Sequence, residues 1–258
     1  MVNRIVYAVK THQGHVRSNN EDNFYLNGQY KHDVWQNQAA LSGTAAGECF
    51  LAAVGDGMGG EECGEQASLR AVESLQSCHF EDVYSVAMES VAEANGKICD
   101  LMRQNDGKRS GSTLAALYID SGKAISCNLG DSRVYFFRDG MIKQISTDHN
   151  MAAKMVQEGL MTKEEAQNWP GRHQITQYLG IFEEEMVLEP DFSEVIDLES
   201  GDIFLLCSDG LTDMVWEEEM TGVLAEQTGP FRQAEELVQL ALDSGGRDNV
   251  TVIVLQIQ

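Results

Sequence analysis

Cys49-Phe50-Leu51-Ala52-Ala53-Val54-Gly55-Asp56-Gly57-Met58-Gly59-Gly60 is the stretch on which the reading of this chain turns. Six apolar residues in a row, closed by a glycine turn, predict a strand buried on both faces. The turn holds one carboxylate, Asp56, among four glycines. With no Cβ atoms in the way, a ligand can approach the side chain and the backbone of such a loop together. Taken alone, the stretch is equally a tight turn between a strand and a helix. Its neighbours have to decide.

Upstream, residues 4–9 read as a strand. Gly14-His15-Val16-Arg17-Ser18-Asn19-Asn20-Glu21-Asp22-Asn23-Phe24-Tyr25-Leu26 reads as a polar turn entering a second strand. Residues 27–48 are small and polar and read as a long hairpin loop. Downstream, Ala67, Ala71, Val72, Leu75 and Cys78 recur at helical spacing, as do Val83, Ala87, Val91, Ala94, Ile98 and Leu101. These predict two amphipathic helices, the second of about 20 residues, whose apolar stripes are core. Strands follow over 112–119, 124–129 and 133–137, with a short one near Ile142. The turns Ser121-Gly122 and Asp139-Gly140 make this region antiparallel. Residues 147–180 are too polar for core and read as a surface flap with short helical patterns at 151–158 and 163–168. A buried strand, 203–207, runs into Ser208-Asp209-Gly210. Helices near 217–225 and 231–242 lead to Gly245-Gly246-Arg247-Asp248-Asn249 and a central strand, 250–257.

Composition narrows the function. A chain of 258 residues with three prolines and no low-complexity linker is expected to be one domain. A formal charge of −23 excludes nucleic acid as a partner, because phosphate backbones need excess Lys and Arg. The opening Met1-Val2-Asn3-Arg4-Ile5-Val6 has no signal-peptide core, and no apolar run approaches membrane-spanning length. Cys49, Cys63, Cys78, Cys99, Cys127 and Cys207 form no CxxC pair and read as reduced thiols of a cytoplasmic protein. No membrane contact is expected, and a monomer is.

Four aspartates share one context. Asp56, Asp131, Asp209 and Asp248 each lie at an end of an apolar strand beside Gly or Asn. Strand ends of one sandwich can meet on one rim, where crowded carboxylates repel unless a cation neutralises them. Oxygen ligands without His or Cys partners favour Mg²⁺ or Mn²⁺ over zinc. Any single one of these is an ordinary turn residue. Four in one context point to a metal centre.

With these pieces assembled, the sequence resembles the metal-dependent serine/threonine protein phosphatases of type 2C, in particular the bacterial branch. The matching motifs are Arg17-Ser18-Asn19-Asn20-Glu21-Asp22, Gly55 to Gly60, Gly111-Ser112-Thr113, Gly130-Asp131-Ser132-Arg133 and Thr147-Asp148-His149. Ile175-Thr176-Gln177-Tyr178-Leu179-Gly180, Ser208-Asp209-Gly210-Leu211 and Asp248-Asn249-Val250-Thr251 complete the series. The resemblance implies an α+β fold, a four-layer α-β-β-α sandwich of two antiparallel sheets flanked by helices. It implies that Asp56, Asp209, Asp248 and Arg17 form the catalytic set. Asp56 would bridge two Mn²⁺ or Mg²⁺ ions, with Gly57 giving its carbonyl and Asp209 and Asp248 completing the site. Glu21 would act nearby, directly or through water, and Asp131 with Asp209 would hold a third, weaker ion. Arg17 would clamp the substrate phosphate. Asp22 would orient that arginine, and Asn249 would stand behind the ligands.

The implied reaction is hydrolysis of phosphoserine or phosphothreonine by a metal-bridging hydroxide, with no protein nucleophile. The implied partners are phosphoprotein substrates and a cognate Ser/Thr kinase or its targets. Met58 departs from eukaryotic members, which carry a His proposed to protonate the leaving group. Glu61, Gln177 and the length of the 27–48 segment also depart from the pattern and bear on substrate range. Three rivals deserve weight. Cys127 to Arg133 has the Cys-x5-Arg spacing of cysteine-dependent phosphatases, but Asp131 would repel a phosphate there and a strand follows instead of a helix. A non-catalytic binding protein on the same fold would be expected to have lost metal-binding aspartates. A cation buffer has no use for Arg17.

Overall fold

The computed structural model describes residues 4–46, 49–59, 63–167 and 169–258. Gly60, Glu61 and the last residue of the 163–168 pattern lie outside the described residues.

The strands are β1 Arg4–His12, β2 Asn23–Leu26, β3 Gln29–Tyr30, β4 Gln38–Ala46, β5 Cys49–Gly55, β6 Gly57–Met58, β7 Gly111–Ser112, β8 Leu114–Asp120, β9 Lys123–Leu129, β10 Arg133–Arg138, β11 Met141–Gln144, β12 Asp191–Phe192, β13 Ile196–Asp197, β14 Ile203–Cys207 and β15 Val250–Ile257. The helices are α1 Gly64–Glu73, α2 Val83–Gln104, α3 Met151–Gln157, α4 Lys163–Gln167, α5 Asp209–Thr212, α6 Glu217–Ala225 and α7 Pro230–Asp243. One antiparallel sheet of six strands has the order β11-β10-β14-β15-β1-β4. The other, of seven, has the order β12-β9-β8-β5-β2-β3 with β13 also on β9. β6 and β7 pair separately.

Three apolar layers show how these elements stack. Leu51, Ala67, Val91, Ile98, Leu114 and Ile125 bury α1 and α2 against the seven-stranded sheet. Val9, Phe24, Val54, Leu117, Phe204 and Ile253 fill the space between the sheets. Leu205, Leu211, Val223, Leu237 and Val252 bury α5–α7 on the six-stranded sheet. Alternation explains the arrangement: successive strand residues face opposite sides, so Leu205 meets helices while Phe204 and Leu206 meet the other sheet. A strand buried on both faces has to be apolar throughout, which is why β5, β14 and β15 are legible as runs. The expected α-β-β-α sandwich is the fold observed.

Tight turns set the registers. Asn27-Gly28, Ser121-Gly122 and Asp139-Gly140 all have positive φ at both residues, as type I′ hairpins require. They join β2 to β3, β8 to β9 and β10 to β11.

Several expectations need correction. Segment 27–48 is not one loop: it contains β3 and β4, and β4 pairs with β1 along its whole length, from Arg4 opposite Ala46 to His12 opposite Gln38. Its half-buried positions Ala39, Leu41 and Ala45 are mostly too small to give a strong alternating signal. Gly43 is bare because a Cβ there would meet the Tyr7 hydroxyl at 2.6 Å. The first helix stops at Glu73, so Cys78 belongs to the connection ahead of α2. The 112–119 strand is broken at Thr113, and β12 and β13, short pieces on β9, give no usable pattern. The flap returns to the core at its end: Leu179 is fully buried and exchanges backbone hydrogen bonds with Ser112 at 2.9 and 2.8 Å.

Leu117 lies fully buried between the sheets, so Leu117→Ala should cost about 3 kcal/mol through lost burial and an unfilled cavity. Urea unfolding should show a lower midpoint at unchanged slope. A loss below about 1 kcal/mol would contradict this packing.

Candidate metal centre

Strand registers bring the acidic positions to one rim. β14 ends at Cys207, opposite Val252, and β15 begins opposite the end of β1, with Val250 facing His12. In the other sheet Gly55 at the end of β5 faces Asn23 at the start of β2, and Leu129 faces Leu114. Asp209, Asp248, Asp56, Asp131 and the pair Glu21-Asp22 therefore all sit just beyond strand ends of the same edge.

Their mutual influence is strong. Burial pushes the Asp56 carboxyl well above the ordinary range, and the charges of Asp22, Asp209, Asp131 and Asp248 push it further. Burial raises Asp209 in the same way, reinforced by Asp131, Asp213, Asp248 and Asp22. The Asp131 carboxyl is pushed up to about 7, chiefly by burial.

Below the rim, hydroxyls and amides fix the backbone. Asp56 N–H donates to Thr113 Oγ1 (2.9 Å), Thr113 N–H donates to Asp56 O (2.9 Å), and Thr113 Oγ1 meets Ser132 Oγ (2.7 Å). Those contacts explain why Thr113 interrupts its strand. Gly130, at φ 109°, lies so close to Thr113 that a Cβ would strike its side chain at 2.7 Å. His149 N–H donates to Gly130 O (2.8 Å), and Asp148 takes Arg133 by Nε at 3.0 Å and by Nη2 at 2.7 Å. The loop carrying Asp131 is thus clamped from both sides.

Asp22 behaves differently from expectation. It does not orient Arg17; its Oδ2 accepts Ser208 Oγ and Thr251 Oγ1, both at 2.7 Å. The reason is direction: Asp22 is fully buried and points inward, whereas Arg17 lies on the rim. Arg17 Nη2 donates instead to Asp248 Oδ2 at 2.6 Å. Asn249 does stand behind the site. Its Oδ1 accepts Glu21 N–H (2.8 Å), and its Nδ2 donates to Gln13 O (2.9 Å) and Asn19 O (2.8 Å), tying the 13–21 turn to β15.

Sequence reasoning missed four participants. Lys31 is buried and donates from Nζ to Asn20 O (2.7 Å); burial lowers it to about 8, partly offset by Asp22. Glu65, buried in the first turn of α1, accepts from Asn19 Nδ2 at 3.4 Å beside Glu21. From the flap, Arg172 and His173 reach Asp213 at 3.2 and 3.6 Å. Ligand atoms of His173, Asp209 and Asp213 lie within 4.8 Å of one another. Asp56, Asp209 and Asp248 form no such compact triple among the described residues. Only Glu65, in Gly64-Glu65, carried a readable signal, an acid at a helix start.

A hard divalent cation fits this arrangement. Asp209 Oδ1 and Asp22 Oδ1 are buried without a hydrogen-bond partner, a costly state that a ligand would relieve. A Cβ on Gly57 would strike Gly64 O and, at 2.6 Å, Glu21 O, so the loop and α1 close around Asp56 without side chains. The cysteine rival fails here. Cys127 is buried within β9, and burial pushes its thiol up to about 12.

The sequence profile described as Protein phosphatase 2C matches residues 26–243. The chain belongs to the protein phosphatase 2C family. It is 33% identical over 257 residues to Protein phosphatase PhpP of Streptococcus pneumoniae, covering 96% of each chain. Its structure resembles the Mycobacterium tuberculosis serine/threonine phosphatase PstP/Ppp, with TM-score 0.82, 32% identity and 98% of each chain covered. It also resembles the catalytic domain of PstP in complex with two manganese ions, with TM-score 0.79, 30% identity and coverage of 98% and 99%.

The raised carboxyls set a pH dependence. A folded-state value above the unfolded one, about 4 for Asp, favours folding fully only below that value. The contribution is lost as pH rises through the folded values, which for Asp131 is about 7. The chelated protein should therefore lose stability from about pH 4 to beyond 7, and Mn²⁺ should restore more at pH 8 than at pH 5. Thermal melts with and without EDTA measure the difference. A gap independent of pH would contradict the electrostatics.

Proposed function

We propose that Asp56, Asp209, Asp248 and the Gly57 carbonyl hold the two ions with which this metal-dependent protein serine/threonine phosphatase hydrolyses phosphoserine and phosphothreonine. The observation that carries the assignment is the meeting of Asp56, Asp131, Asp209 and Asp248 at strand ends of one rim, where Asp209 Oδ1 and Asp22 Oδ1 are buried without a hydrogen-bond partner. Membership in the family supports Mn²⁺ or Mg²⁺ as the cofactor. Asp131 with Asp209 suits a third, weaker ion, and Glu21 acts beside the pair directly or through water. When bound, the ions lower the pKa of water and neutralise charge on phosphoryl oxygens.

The chain's own groups do the rest. Arg17, half-exposed at the mouth, is the phosphate clamp, and its guanidinium pairs with Asp248. A phosphate dianion entering beside it offers more charge than one carboxylate oxygen. Asn249 and Asp22 keep the 13–22 turn in place, so Arg17 is presented without rearrangement of its backbone. Thr113 does the same for Asp56. Met58 has no proton to give, so the leaving alkoxide is protonated from another source. The flap, held near Asp209 by Arg172 and His173, forms part of the mouth within one phosphatase domain spanning 1–258.

A non-catalytic binder is the poorer reading, since it gives no reason to keep like charges buried together at this cost. Phosphoproteins are the substrates, and a Ser/Thr kinase acting on the same proteins is the fitting opponent. A cytoplasmic monomer suits six reduced cysteines and the absence, among described residues, of a helix able to cross a membrane.

Hydrolysis of a phosphothreonine peptide should require Mn²⁺ or Mg²⁺ and disappear in Asp209→Ala. Turnover that survives exhaustive chelation would refute the metal assignment. Arg17→Ala should lower kcat/KM by about 10–100-fold, mainly through KM, as expected for a lost charge-assisted contact. Unchanged kcat/KM would remove the clamp role.

A further inference from the structure

The seven-stranded sheet carries ligand-type side chains at both ends. Beyond the acidic rim, at the opposite end of β5, Cys49 faces Asp120, the last residue of β8. His79, in the connection between α1 and α2, completes the group. Cys49 Sγ lies 3.4 Å from His79 Nδ1 and 3.7 Å from Asp120 Oδ1, and His79 Nδ1 lies 3.7 Å from Asp120 Oδ2. Asp56 lies seven residue steps along the strand from Cys49, about 23 Å, so the two ends cannot share an ion.

We infer that Cys49, His79 and Asp120 form a structural site for a thiophilic divalent ion of the zinc type, separate from the phosphatase centre. Spacing is the first argument. Bonds of about 2.3, 2.0 and 2.1 Å to S, N and O at a tetrahedral ion separate the ligand atoms by about 3.4–3.6 Å. The sulfur-to-nitrogen separation of 3.4 Å falls in that range, Asp120 turns a different oxygen to each partner at 3.7 Å, and one ligand atom from each of the three residues lies within 4.8 Å of the other two before any ion is added. Donor chemistry is the second argument: one thiolate, one imidazole and one carboxylate select zinc over the Mg²⁺ or Mn²⁺ suited to the all-oxygen rim. Thiolate and carboxylate together balance the ion's charge.

Orientation is the third argument. Asp120 is buried, and its Oδ2 accepts Phe80 N–H (2.8 Å) while its Oδ1 accepts Ser121 Oγ (3.1 Å). Hydrogen bonds of this kind hold a ligating carboxylate in place. The His79 side chain is two-thirds exposed, which leaves the fourth position to water. On binding, the Cys49 thiol releases its proton to solvent and sulfur donates its electron pair to the ion; nothing is oxidised. The bound ion would fasten the α1–α2 connection to the sheet. This inference does not depend on the phosphatase assignment.

Cobalt reports on such a site, because thiolate ligation gives a charge-transfer band that an oxygen-only site lacks. The full chain, reduced with a phosphine and stripped of metal, is titrated with Co²⁺. The expected result is a thiolate-to-cobalt band with tetrahedral d–d transitions, saturating near one equivalent and displaced by Zn²⁺. It should persist in Asp209→Ala and vanish in Cys49→Ser and in His79→Ala. His79→Ala alters an exposed side chain, and circular dichroism checks that it folds. Absence of the band in the wild type, its persistence in either ligand variant, or its loss in Asp209→Ala would overturn the site.

Discussion

Crowded negative charge is the constraint on which this structure depends. Asp56, Asp209 and Asp131 are held where water cannot screen them; Asp209 and Asp131 raise the proton affinity of Asp56, and Asp131 raises that of Asp209. Left to itself, such a rim would spread apart or protonate. The polar network beneath it prevents the first: Asp22, Ser208, Thr251 and Thr11 connect both sheets through short hydrogen bonds. A divalent ion bound there, as proposed, would prevent the second. Much of the remaining polar interior, from Thr113 and Ser132 to Arg133 and Asp148, serves to keep the carboxylates from moving apart.

What could be read from the sequence follows from the same physics. Strands buried on both faces must be apolar runs, so β5, β14 and β15 are visible, and an acid at the end of each is visible with them. Asp56, Asp131, Asp209 and Asp248 were therefore legible as a set. β4 was not, because Ala39, Gly43 and Ala45 give no contrast between faces. Asn27-Gly28 was a readable hairpin turn inside a stretch taken for a loop. The role of Asp22 was out of reach, since its partners Ser208 and Thr251 lie 186 and 229 residues away. Lys31 and His173 were hidden for the same reason: a lone lysine or histidine has no periodicity.

The flap shows how one segment can be polar and still be anchored. Its exit is core, through Leu179, and its entry is tied through His149 and Asn150 to Thr176 and Ile175. Between these fixed ends, α3 and α4 are held by local caps, Asn150 on Ala153 N–H and Thr162 with Glu165. Also between these ends, Arg172 and His173 reach toward the acidic rim, at Asp213.

The seam between the sheets has a kinetic side. Asp209 and Asp248 come with the six-stranded sheet, and Asp56 and Asp131 with the seven-stranded one. No early, local fragment of the chain contains all four acids. Closing contacts across such long sequence separations is slow, and it comes late. Ions held by these acids, as proposed, would therefore not template folding in the way zinc templates a small finger. They would reward only chains that have already docked both sheets, and so act as a selector of finished molecules.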